Sequence, residues 1–268
     1  MSFSADWLAL REPYDARARN VSVLHAVLAS FAGKNAVRIV DLACGTGSAL
    51  RAVAPKIPAS QHWQLVDNNL SLLARASEMK PPPGVTMGTT PLDIGYDVEA
   101  ALDGPVDLVT TSALLDLVSE TWLERLVTEI GARQIPIYAA LSYDGRVEMS
   151  PRNPHDAAIL QATNVHQRAD KGFGPALGPA AASIAIARFE TLGYNVVHGN
   201  ADWLFDESDR EIQTEIFSGW ASAAREVDIL PLVHIVEWLT FRRDEIAAGR
   251  SSLRVGHVDF FAQPIGSR

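Results

Sequence analysis

The 268-residue chain holds a single cysteine, Cys44, so an intrachain disulfide framework and a multi-cysteine zinc site are both excluded. Positive charge is also scarce: 23 Lys and Arg stand against 32 Asp and Glu, a net charge of −9. Basic residues are scattered, with only short pairs such as Arg242-Arg243, whereas phosphate backbones are gripped by clustered basic faces. A nucleic-acid partner is therefore not expected. No apolar run approaches the roughly 20 residues that span a bilayer. The first twenty residues carry charges throughout and lack the apolar core of a signal peptide. These absences describe a soluble, cytoplasmic protein with no membrane partner. The histidines show neither HxH nor HExxH spacing, so no metal is expected. Nothing in the sequence indicates an oligomeric state.

What is present is an alternation. Residues 20–32 read as an amphipathic helix closed by Gly33, and Val37–Leu42 as a buried parallel strand running into a glycine loop. Strands ending at Asp67, near Leu92-Asp93 and at Thr111 follow, then one over Ile135–Ser142, with helices between them. Strands alternating with helices imply a doubly wound parallel sheet with right-handed crossovers. Residues 37–145 form that unit within a single domain spanning 1–268. The second half is richer in helix. Asn153-Pro154 opens one helix, Pro179 another, and Ser208 with Glu211 resembles a capping box for a third. A further helix begins near Pro231. Tyr194–His198 and Leu253–Phe261 read as the sixth and last strands. Segments 150–180 and 206–250 are read as helical insertions capping the sheet.

The strongest chemical signal is VRIVDLACGTGSALR, Val37–Arg51. Asp41 ends a buried strand, and Gly45 and Gly47 let the backbone turn tightly beside a ligand. An acid aimed at that loop suits a cationic ligand better than a pyrophosphate. Asp67, ending the next strand, can accept two hydrogen bonds from a diol. Asp93 can accept from an amino group while Ile94 packs on a flat ring. A nicotinamide-dinucleotide fingerprint would place glycine or alanine where Leu50 stands, and a phosphate-binding loop would need a Gly-Lys-Ser/Thr that is missing.

Taken together, the acid-x-x-x-Gly-x-Gly loop and the acids after strands two and three resemble the class I (Rossmann-like) S-adenosylmethionine-dependent methyltransferases. The resemblance covers 37–145 well and reaches loosely to 263. It implies a seven-stranded, mostly parallel sheet of order 3-2-1-4-5-7-6 whose last strand is antiparallel. It also implies S-adenosylmethionine as cofactor, with Gly45 and Gly47 beside its methionyl part, Asp67 on the ribose, and Asp93 with Ile94 on the adenine. Asp41, Ala43 and Asn68 complete the binding set, and the backbone at Ser112 passes the sulfonium. The acceptor is expected to be a small molecule, because strand four leads into TTSALLDLVS and not into the Asp/Asn-Pro-Pro-aromatic signature of nucleobase and protein-amide methylases.

Two catalytic candidates lie outside these motifs. Asp116 stands between Leu115 and Leu117, where it reads either as a helix cap or surface acid, or as a base or an amine anchor facing the methyl group. His166 precedes a glycine loop in a polar cluster with Arg168, Asp170 and Lys171, which reads either as a solvated face or as an anchor for an acidic substrate. Trp220 reads as core or as the lining of a cap pocket, and Cys44 as a small packing residue. A non-catalytic cofactor-binding or interaction protein is the alternative function, and an NAD-dependent oxidoreductase a weaker one. Titration calorimetry separates the cofactor readings: S-adenosylhomocysteine should bind and NAD should not. Binding of NAD alone would remove the implied cofactor.

Overall fold

The computed structural model describes residues 4–266. Helices α1 (Ala5–Ala18) and α2 (Val21–Ser30) precede β1 (Ala36–Leu42), α3 (Ser48–Val53), β2 (Ser60–Asp67), α4 (Leu70–Ser77), β3 (Val85–Pro91) and α5 (Val98–Ala101). Then come β4 (Leu108–Ser112), α6 (Glu120–Arg133), β5 (Ile137–Ser150), α7 (Asp156–Gln167), α8 (Ala181–Thr191), β6 (Tyr194–Asn200) and β7 (Trp203–Phe205). Helices α9 (Arg210–Val227) and α10 (Leu232–Ala247) lead to the closing strand β8 (Ser252–Pro264). No helix among the described residues is long and apolar enough to cross a membrane.

Strands β1 to β5 are mutually parallel in the order β3-β2-β1-β4-β5, and β8 lies antiparallel between β5 and β6. The expected order therefore holds, with one addition. The sixth strand, expected over Tyr194–His198, runs on to Asn200, and a short further strand, β7, pairs separately with β8. A dinucleotide-binding sheet instead ends with a sixth parallel strand, which this antiparallel insertion replaces.

Side chains alternate across the sheet, so neighbouring strand residues feed opposite cores. Ile39 and Leu65 pack with α2, α3 and α4 through Val27, Leu50 and Leu73, whereas Val40 and Val109 pack with α6 and α8 through Leu126 and Phe189. A third core gathers α7, α9 and α10 over the outer parts of β5, β7 and β8 through Ile159, Phe217, Trp238 and Val255. Thus α8 covers the main sheet, while the other late helices form a separate layer.

Several local expectations are corrected. Helix α1 had no sequence signal: it is nearly balanced between polar and apolar residues, and it buries Arg11 and Asp15. Asn153-Pro154 builds a turn of its own, in which Asn153 Oδ1 accepts from His155 N–H and Asp156 accepts from Asn153 N–H, so α7 starts at Asp156. Ser208 likewise donates to Asp206, and α9 begins at Arg210 without the Ser208–Glu211 box. Strand β5 runs eight residues past Ser142 because β8 pairs with it all the way to Ser150.

Midway, β5 bulges. Ala139 pairs with Phe260 and Ser142 with Val258, so Ala140 and Leu141 face Asp259 alone. Leu141 sits at φ +58°, a left-handed conformation costing a non-glycine residue about 1–2 kcal/mol. The fully buried Asp259 carboxylate holds the bulge, accepting from Leu141 N–H at 2.8 Å, Tyr138 O–H at 3.1 Å and Asn20 N–H at 3.0 Å. Asp259→Ala strands all three donors in an apolar interior, and a loss of about 3–5 kcal/mol is expected in chemical denaturation. A loss below about 1 kcal/mol would show that water or a rearranged bulge replaces the carboxylate.

Candidate functional site

The C-terminal ends of β1, β2 and β4 and the middle of β5 open into two joined cavities. The first, about 280 Å³, is lined by Asp41, Ala43, Gly45, Asp67, Asn68, Asp93, Ile94 and Ser112. The expected binding set is thus brought together except for Gly47. That glycine sits behind the cavity as the N-cap of α3 at φ +84°, and a Cβ there would meet Met79 Cε at 2.8 Å. Its absent side chain serves the packing of the loop, not the cavity wall. At Gly45, φ +54°, a Cβ would press on Leu8 at 3.1 Å.

The acidic residues in this cavity have different fates. Asp67 Oδ2 accepts from Gly45 N–H and Oδ1 from Asn69 N–H, each at 2.9 Å, so this carboxylate already fixes the glycine loop to β2. Each oxygen keeps a second lone pair for a ligand hydroxyl. Asp93 Oδ1 accepts from Gly95 N–H at 2.9 Å, shaping the turn after β3. Asp41 is buried, and its Oδ2 has no hydrogen-bond partner. Burial pushes its carboxyl up to about 8; Arg19 pulls it back, Asp67 adds repulsion and Arg51 opposes that. A cation entering this cavity would supply the missing partner.

Helix α1 forms a wall that the sequence did not reveal. Leu8, Arg11 and Asp15 line the first cavity. Asp15 accepts from Arg11 Nε and Trp203 Nε1, both at 2.9 Å, and the Arg11 guanidinium lies 5.0 Å from the Trp203 ring. Just beyond α1, buried Arg19 donates to Ser112 Oγ at 2.9 Å and Tyr138 Oη at 3.2 Å. These residues are invisible to pattern reading because a charged residue in an early helix normally faces water.

The second cavity, about 470 Å³, adjoins the first through Arg11, Ala113, Leu117 and Lys171, which line both. Trp7, Trp203, Trp220 and Tyr143 give it an aromatic lining, and both Asp116 and His166 face it. Asp116 is neither a helix cap nor a surface acid: it is buried in a single 3₁₀ turn, Leu115–Leu117, and its Oδ1 has no partner. Burial pushes it up to about 6, against its own and the Tyr143 backbone hydrogen bonds and the charge of Arg11. His166 contacts Glu226 at 3.1 Å and Lys171 at 3.4 Å. The Asp170 carboxylate instead builds the glycine loop, accepting from Gly172 and Gly174 N–H.

His257, which the sequence did not single out, also lines this cavity. Burial and then Arg11 push its imidazole down to about 3. Its Nδ1 lies 3.1 Å from the Val255 carbonyl, which can only accept, so Nδ1 carries the proton and Nε2 is left as an acceptor. Non-glycine residues in left-handed conformation mark the same edge: Ala43 in the first cavity, Leu141 in the second and Ala113 in both. Such strain gathers where a surrounding structure holds a site in shape. Cys44 is buried in the loop, and burial raises its thiol. A more open groove of about 880 Å³ lies on the outer ends of β5 and β8 beside α7, away from all of these residues.

No family model matches the chain, and no curated protein does. Solved structures do. The cyclopropane synthase MmaA2 from Mycobacterium tuberculosis is 10% identical with TM-score 0.51, covering 97% of this chain and 94% of its own. A cyclopropane-fatty-acyl-phospholipid synthase-like protein from Lactobacillus casei is 13% identical with TM-score 0.52, covering 94% and 98%. A SAM-dependent methyltransferase from Thiobacillus denitrificans, in complex with S-adenosyl-L-homocysteine, is 15% identical over 98% and 100% of the two chains, with TM-score 0.45. The first two establish a shared fold. With the strand order, the chain has the Rossmann-like methyltransferase fold.

The Asp41 carboxyl predicts a proton count. An ordinary carboxylate titrates near 4, so a folded value of about 8 favours the ligand-free native state at acid pH. That contribution is lost as pH rises through about 8. At pH 7 the group is mostly protonated, and an ammonium docked beside it would expel the proton. Calorimetry with S-adenosylhomocysteine in buffers of different ionisation enthalpy should show release of close to one proton, absent in Asp41→Asn. Binding without proton release would mean that Asp41 does not meet the ammonium.

Proposed function

We propose that this chain is an S-adenosylmethionine-dependent methyltransferase acting on a small molecule held in the second cavity. The observation that carries this reading is the junction at Ala113 and Leu117 of two cavities, each holding one buried carboxylate oxygen without a partner. The first cavity fits the cofactor. Asp41 offers an unpartnered acceptor to its ammonium, Gly45 leaves room at the loop, Asp67 has lone pairs for the ribose diol, and Asp93 with Ile94 borders a place for the adenine. When bound, S-adenosylmethionine supplies an electrophilic methyl group.

What the chain contributes is position and a proton acceptor. The layer of α7, α9 and α10 acts as a substrate cap, placing Trp220, His166 and Glu226 opposite Asp116. Trp7, Trp203 and Trp220 surround the acceptor with apolar surface and displace water from it. Holding two reacting groups in line can supply several kcal/mol, up to about 7–11. Asp116 then takes the proton that a hydroxyl or ammonium acceptor must lose. An acceptor bearing its own carboxylate beside Asp116 would meet a like charge, so a neutral or cationic acceptor is favoured. His166, tied to Glu226 and Lys171, orients the acceptor from the cap side.

Transfer of labelled methyl groups to a metabolite panel tests the reading. Asp116→Asn should retain S-adenosylhomocysteine affinity and lower turnover about 10²-fold or more. The base must be unprotonated, so the wild-type rate should fall as pH drops below about 6, and the variant should lack that inflection. Full turnover in Asp116→Asn would remove it from catalysis, and lost cofactor binding would place it in the wrong cavity.

A further inference from the structure

We propose that His155, His234 and Glu237 form a binding site for a divalent transition metal, zinc in the first instance, that joins the start of α7 to α10. The sequence conceals it, because the two histidines lie 79 residues apart. In the fold, His155 Nε2 and His234 Nδ1 are 3.1 Å from each other, with ring centroids 4.5 Å apart. Glu237 Oε2 lies 4.0 Å from the first nitrogen and 3.8 Å from the second.

Two imidazole nitrogens this close must share a proton or a cation. Zinc–nitrogen bonds of about 2.0–2.1 Å at a tetrahedral angle separate two ligand nitrogens by about 3.3–3.4 Å. The observed spacing is within a few tenths of an ångström of that. The carboxylate must close by about half an ångström to reach a similar ligand–ligand spacing. Glu237 is exposed, so its side chain is free to swing inward. Two imidazoles and one carboxylate form a donor set typical of zinc with a fourth position left to water.

The site is also held in register before any metal arrives. The carboxylate of Asp156, next to His155, accepts from Trp238 Nε1 at 2.7 Å and pairs with buried Arg242. Both partners stand on α10, directly after the His234–Glu237 turn. The His155 N–H is fixed on Asn153 Oδ1. None of the three ligands lines either joined cavity, so the metal would act as a clasp between cap helices and not in methyl transfer.

The test uses full-length protein stripped with EDTA and titrated with Zn²⁺. One equivalent should bind, and at about 100 times the dissociation constant the Tm should rise by about 5 °C or more. His155→Ala and His234→Ala should each weaken binding at least about 100-fold and Glu237→Gln at least about tenfold, since losing a ligand costs no less than the roughly 10–100-fold lost with a residue that only supports one. The remote control His62→Ala should leave it unchanged. Visible absorption of the Co²⁺-substituted wild type should report tetrahedral coordination, a readout that does not depend on how the variants fold. Absence of binding, or zinc binding that survives in the His155→Ala, His234→Ala double variant, would overturn the proposal.

Discussion

One buried carboxylate, Asp259, sets the geometry on which both cavities depend. It sits in the middle of the antiparallel strand β8, where an ordinary ladder would require only backbone bonds. Instead it accepts from a backbone N–H of the β5 bulge and from one at the start of α2. Through Tyr138 it also reaches Arg19, which holds Ser112 at the end of β4. One carboxyl group therefore joins the last strand, the centre of the sheet and the N-terminal helices. Without it α1 would lack its anchor at Asn20 and Arg19, and the first cavity would lose the wall made by Leu8, Arg11 and Asp15. Burial raises the Asp259 carboxyl, and the hydrogen bonds and the charge of Arg19 oppose that.

Against this satisfied carboxyl group, Asp41 and Asp116 stand out. All three are buried, but only these two leave a carboxylate oxygen unpartnered, one in each cavity. A desolvated, unpaired carboxylate disfavours its charged form, so the native state holds such groups protonated more readily than water would. The structural return is small: Asp41 bridges no elements as Asp67 and Asp259 do, and Asp116 meets only its own backbone and that of Tyr143 on β5. Residues that weaken the fold without knitting it together are where function is to be sought, and the perturbed values here come from burial and named neighbours at a concave edge.

Much of this was legible in the sequence, because the parallel sheet advertises itself. Val37–Leu42 is a largely β-branched run, buried throughout from Ile39 on, and acids precede the turns that follow β1, β2 and β3: Asp41 before Gly45, Asp67 before Asn68 and Asp93 before Gly95. Those local signals placed Asp41, Asp67 and Asp93 along one sheet edge. The misses share a cause, since each depends on partners distant in sequence. Arg11, Asp15 and Arg19 look like a solvated helix until Trp203 and Tyr138 arrive to bury them. The β5 bulge cannot be read from Ala139–Ser142, because Asp259, its reason for existing, lies over a hundred residues away. The caps expected at Asn153 and Ser208 failed for a different reason: both side chains belong to Asx-type turns that finish before the helix begins, and the same polar residues serve either motif.

Arg11 couples the two halves of the site. Its guanidinium lines both cavities and is held by Asp15 and the face of Trp203. Its charge pulls Asp116 down from where burial alone would leave it, and pushes the His257 imidazole further from protonation. One cation thus favours an ionised Asp116 while keeping the neighbouring imidazole neutral. Moving Arg11 toward solvent would raise the Asp116 carboxyl. Arg11 and Leu8 stand on successive turns of α1, so one helix walls the first cavity and carries the cation that both cavities share.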